Sequence, residues 1–171
     1  MAKSTEEFMA CGKAHASERD AIVAMIDMFR VAEAGGGALF SGWAKVCKTP
    51  MLRGGLAMVA EREYYHARMF EKRMDELGVE RKAAMDSPEG RDMGAYFADP
   101  AITDLAKVRR FNELVGDPKQ TFSELKTLMD RISDDVETGE MLRLFYHDEM
   151  SSTGWMREME GKLAEAPARA A

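Results

Sequence analysis

The sequence predicts an all-α protein folded as a four-helix bundle. Three observations predict it. Apolar residues recur in alternating steps of three and four over long stretches, which is the seam of helices crossing at a shallow angle. Ala, Glu, Met, Leu, Arg and Lys dominate, with only 5 prolines in 171 residues, so good helix formers fill the chain. Clusters of Gly, Asp and Pro separate the periodic stretches. A hydrophobic share of 46% beside a charged share of 32% suits helices that hide one face and solvate the other. The length fits one domain with a real core. It divides into a flexible N-terminal segment at 1–16, a helical bundle at 17–164 and a frayed tail at 165–171.

The first helix runs from about Ser17, a suitable cap, to Cys47. Its stripe is Ile22, Ile26 and Phe29, then positions 33 and 36, then Phe40, Trp43 and Cys47. The second starts at Pro50, a residue favoured at the first helical position, and ends at Leu77 before a C-terminal stop at Gly78. Leu52, Leu56, Val59, positions 63 and 66, Phe70, Met74 and Leu77 form its stripe. Residues 79–100 read as a long connection with room for a short helix. Residues 101–115 have helical character but meet Gly116-Asp117-Pro118. Asp117 as cap and Pro118 as first residue open a third bundle helix, predicted to reach about Ser133. Asp134-Asp135 turns into the fourth, with the stripe Leu142, Phe145, 149, 152, Met156, Met159 and Leu163. Two hairpins are thus joined by one long crossover between the second and third helices.

Several classes of function are excluded. The net charge is −6 with both signs interspersed, so no basic stripe awaits nucleic acid. No 18-residue apolar run implies a membrane span. The N-terminus lacks the apolar core of a signal peptide, so the expected location is the cytoplasm. There Cys11 and Cys47 stay reduced and structural, and the 15 methionines serve as adaptable core filler.

The chemistry lies in what interrupts the stripes. Glu63 and His66 stand three apart on the second helix between Val59 and Phe70, close enough around the axis to face one object. Glu33 falls between Phe29 and Phe40 on the first helix, and Glu149 between Phe145 and Met156 on the fourth. An unpaired carboxylate in a dry interior costs several kcal/mol, so buried acids are paired or ligate a metal. Carboxylates with one imidazole suit Fe, Mn or Zn. Shifting the chain by 86 residues lays Leu56 on Leu142, Val59 on Phe145 and Glu63 on Glu149, a weak internal symmetry.

On these residues the chain resembles the ferritin-like superfamily, especially its rubrerythrin-like branch. The stretches Lys45-Val-Cys-Lys-Thr-Pro-Met-Leu, Val59-Ala-Glu-Arg-Glu-Tyr-Tyr-His66 and Met74-Asp-Glu-Leu-Gly78 look like the first half of such proteins. The family signature is a Glu from each of two helices and Glu-x-x-His from each of the other two, holding two metal ions. The resemblance implies Glu33, Glu63, His66 and Glu149 as metal ligands. It implies one or two iron ions (or Mn or Zn), and oxidation of Fe(II) or chemistry with O₂ or peroxide. A homodimer or larger assembly is expected, because short bundles often bury an outer apolar stripe that way. The second half departs from the signature. Ser152 stands where the second histidine belongs, and the position 86 residues beyond Glu33 is Lys119. Two outcomes follow: a working metal site, or a non-catalytic interaction module whose relict site is neutralised by Lys119.

Other features have two readings each. Gly35-Gly36-Gly37 implies either a cavity beside the site or close packing of another helix, for example across a dimer with Gly54 and Gly55. Tyr64 and Tyr65 read as redox-active or as ordinary packing residues. Trp43 and Trp155 read as anchors in the core or at a subunit interface. His15 near Cys11 is a weak metal pair on the N-terminal segment.

Overall fold

The computed structural model describes residues 7–84 and 87–165. Three long rods dominate: α1 (Glu18–Val46), α2 (Pro50–Leu77) and α7 (Val136–Glu165). Between α2 and α7 come α3 (Pro88–Ala98), α4 (Asp104–Val115), the single turn α5 (Pro118–Thr121) and α6 (Ser123–Arg131). A small hairpin, β1 (Phe8–Ala10) and β2 (Lys13–His15), precedes them. No helix of the described residues is long and apolar enough to cross a membrane.

The ends of the rods are set by the residues the sequence offers. The Ser17 hydroxyl accepts from the Asp20 N–H at 3.1 Å and opens α1. Pro50 opens α2, and Gly78, in the left-handed region at φ 65°, closes it. Buried carboxylates then tie rod to rod. Glu18 accepts the N–H groups of Ser133, Asp134 and Asp135 at 2.9–3.0 Å just ahead of α7. Asp27 accepts those of Lys82 and Ala83 at 2.8 and 2.7 Å. Arg73 joins α2 to the start of α7 through Thr138, Asp135 and Glu137.

These ties fix the direction of travel. Arg19 at the start of α1 donates to the Leu77 carbonyl at the end of α2, so the two rods are antiparallel. The chain then runs back along α1. Residues 82–83 bind Asp27, α3 packs on α1, and Phe97 reaches Trp43 near its far end, with ring centroids 5.0 Å apart. The chain after α2 thus passes along α1 through residues 82–83 and α3. The fourth side is α4 followed by α6, both packed on α7.

Here the sequence reading needs a correction. It places the third bundle helix at 118–133, whereas that side begins at Asp104 and breaks at 116–117. Gly116 adopts φ 60°, ψ −142°, and Pro118 has no N–H to continue a helix, so the Gly-Asp-Pro run interrupts the side midway instead of opening it. At the N-terminal end, residues 8–15 pair as a hairpin turned by Cys11 and Gly12, both at positive φ. It packs on α1 and α6 through Ala10, Ala21, Met25 and Leu128. Residues 1–6 and the tail from 166 lie outside the described residues.

The apolar core is two cores. One gathers Phe40, Trp43, Leu52, Leu56, Val59, Phe97, Val108, Met156 and Met159 at the α1–α2 turn. The other gathers Ile22, Ile26, Phe70, Met74, Leu125, Met129, Leu142 and Phe145 at the opposite end. What separates them is a polar layer at mid-height.

Candidate metal centre

All four residues expected from the sequence lie in that layer. Glu33 and Glu63 are each 6% exposed, His66 1% and Glu149 9%, in the middle of α1, α2 and α7. Phe29, Phe70 and Phe145 close it on one side, with the Phe145 ring edge-on to His66 at 5.1 Å. Val59 and Met156 belong to the apolar cluster on the other.

Gly36 explains how so many groups fit. A Cβ built there would lie 2.5 Å from the Glu63 Oε2 atom, and one on Gly37 would lie 2.6 Å from the Tyr64 ring. The glycines thus let α2 side chains come up against α1 within the chain, and α1 continues through them unbroken. At Gly55 the missing Cβ makes room for the Trp155 indole of the same chain. Tyr65 is exposed, whereas Trp43 is fully buried in the core.

The donor atoms converge. One ligand atom each from Glu33, His66 and Glu149 falls within a mutual 4.8 Å, the spacing of groups that can hold one ion. His66 Nδ1 lies 3.2 Å from Glu33 Oε2 and 3.8 Å from Glu149 Oε1. Its other nitrogen, Nε2, donates to Asp148 Oδ2 at 3.0 Å. An ionised carboxylate only accepts, so Asp148 fixes the tautomer and turns the Nδ1 lone pair towards the glutamates. A carboxylate behind a histidine is the usual support of a metal-binding imidazole. Glu63 shares a hydrogen bond with Glu33. Glu149 Oε1 is fully buried and has no hydrogen-bond partner among the described residues. A buried oxygen left unpaired costs on the order of 1–3 kcal/mol, and a cation would satisfy it.

Electrostatics give the same picture. Burial pushes Glu33 up to about 9, with the charge of Glu149 adding to it. Burial, then the charge of Glu63, pushes Glu149 to about 8. Glu63 is held well above the carboxylate range by burial and by Glu33. Three carboxyl groups packed this closely oppose one another's ionisation, and a cation among them would relieve that opposition.

One cation already stands close by. Arg62 opposes the upward shift of all three glutamates. Its guanidinium donates to the Ser152 hydroxyl and lies 3.5 Å from Asp148 Oδ1. Lys119, expected as the neutralising charge of a relict site, is instead exposed at the start of α5. The break at 116–117 turns this segment outward, so the correction is Arg62 in place of Lys119. Asp148 is the other residue missed, since ideal helical geometry aims it away from the Glu149 face. Its contact with His66 depends on how α2 and α7 pack.

No known protein family, curated protein or solved structure matches the chain. Function is therefore read from this geometry alone.

Proposed function

We propose that the protein is a ferritin-like metal-binding protein that takes iron into the mid-bundle layer and uses it for oxidation, of Fe(II) itself or through O₂ or peroxide. The observation that carries this reading is the convergence of Glu33, His66 and Glu149 donor atoms in a buried layer where one carboxylate oxygen has no hydrogen-bond partner among the described residues. Carboxylate oxygens with one imidazole are the donor set of Fe(II), Mn(II) or Zn(II). Iron, when bound, supplies the electron-transfer chemistry that no side chain of the layer has. Glu33, Glu149 and His66 Nδ1 are its ligands, with Glu63 beside Glu33 able to join them. Asp148 orients the imidazole. The two apolar clusters above and below keep bulk water from the layer, which strengthens every charge interaction inside it.

The test is metal analysis of protein purified from iron-supplemented cells, for the wild type and for His66→Ala. Bound iron that the variant loses supports the reading, and O₂ uptake on adding Fe(II) separates an oxidase from a passive binder. Less than about a tenth of an equivalent in the wild type would replace it with the rival reading, a non-catalytic helical module.

A further inference from the structure

The layer has a hidden symmetry that assigns a role to Arg62. The 86-residue shift that lays Glu63 on Glu149 also lays His66 on Ser152 and Arg62 on Asp148. The contacts obey the same exchange. Asp148, just before Glu149 on α7, reaches across to accept from His66 on α2. Arg62, just before Glu63 on α2, reaches across to donate to Ser152 on α7. The wiring is the same in both halves while the chemistry is inverted: imidazole backed by an acid in one, hydroxyl backed by a base in the other.

We infer that the layer is a one-metal centre in which the Arg62 guanidinium serves as a built-in second cation, filling the half where a symmetric site would take a second ion. The inference rests on the metal-binding reading above and specifies its stoichiometry. Arg is protonated at every physiological pH, so its charge is permanent. The Ser152 hydroxyl gives one of its two lone pairs to the guanidinium, whose positive charge stands where it would repel a second cation. Among the described residues, Glu33, His66 and Glu149 form the single group spaced to hold an ion. Arg62 Nε is buried without a partner, so the guanidinium is committed to the layer by its Nη atoms alone.

The full chain, stripped of metal and reloaded with excess Mn(II), is desalted and counted by elemental analysis and native mass spectrometry. One ion per wild-type chain is expected, with the six-line electron paramagnetic resonance spectrum of isolated Mn(II). Two ions per chain, or the spectrum of a coupled pair, would overturn the inference while leaving the metal-binding reading intact. No bound ion would overturn both. Arg62→Asp with Ser152→His copies the Asp148–His66 arrangement into the other half, and is expected to raise the count to two. A variant that keeps the wild-type circular dichroism and still holds one ion refutes the role given to Arg62. Should the double variant not fold, the wild-type count alone decides.

Discussion

A divalent ion held by Glu33, His66 and Glu149 is expected to gain affinity steeply as the pH rises. Burial and the neighbouring carboxylates push Glu33 up to about 9 and Glu149 up to about 8, so at pH 7 the metal-free protein favours their protonated forms. Both must lose their protons to coordinate, and metal binding therefore releases about two protons. Each proton released changes log Kd by one unit per pH unit, so two make affinity climb about a hundredfold per pH unit, or about 2.7 kcal/mol. The slope flattens as the pH rises past the range in which these carboxyl groups lose their protons unaided. Mn(II) is a convenient probe: free ion is counted by electron paramagnetic resonance from pH 6 to 8, and proton release is read with an indicator dye in weak buffer. Glu33→Gln should remove one proton from the count. A wild-type slope below about half a log unit per pH unit, with no proton release, would show that the glutamates are already ionised and that burial does not hold their protons.

The same protons set the stability of the metal-free form. The folded pKa values lie above the ordinary 4.5, so folding binds protons between pH 4.5 and 8–9, and the stability they contribute is lost as pH rises through that window. Glu18, Asp27 and Asp135 are shifted downward, and their contribution is lost only in acid. Thermal unfolding in chelator should thus fall between pH 5 and 8.5, whereas saturating Mn(II) should reverse the trend; a flat chelator profile contradicts the assignment. Gly36→Ala gains up to about 1 kcal/mol of helix propensity but sets a methyl group against Glu63. Its metal-free form should therefore melt no lower than wild type while Mn(II) affinity drops, and unchanged affinity would remove Glu63 from the centre. Asp148→Asn should weaken Mn(II) binding about 10- to 100-fold with little effect on folding, because only the support of His66 is altered; titration against the wild type checks this.

Much of the fold was legible because the local signals agree with one another. Ser17, Pro50 and Gly78 mark the ends of α1 and α2, and the structure uses each as its type suggests. The fourth side misled for the opposite reason. Asp117-Pro118 is a good helix start and does open a turn at α5, yet only four residues long. Which side of a break belongs to the bundle depends on packing against α7, a long-range property that capping residues do not encode. The hairpin at 8–15 was hidden likewise. Its strands are three residues each, too short for period-two alternation to register, and it persists by lying on Met25 and Leu128.

The layer shows a different limit. Glu33, Glu63, His66 and Glu149 announce themselves because each breaks an apolar stripe, and such a break is visible from one helix at a time. Arg62 and Asp148 break nothing: they stand beside the stripe, where charged residues are expected and carry no signal. They become legible only when α2 and α7 are compared as a pair, for the shift that aligns Glu63 with Glu149 sets a base opposite an acid one position earlier. That inversion matters physically. In a symmetric layer both supporting residues would be acids holding imidazoles, and the total negative charge would call for two ions. Exchanging one acid for Arg62 and one imidazole for Ser152 removes a ligand and supplies a permanent positive charge in the same half. The other half, with His66 held by Asp148, keeps its donors aimed inward. The departure from symmetry thus involves both helices at once, since Arg62 of α2 meets Ser152 of α7 just as Asp148 of α7 meets His66 of α2.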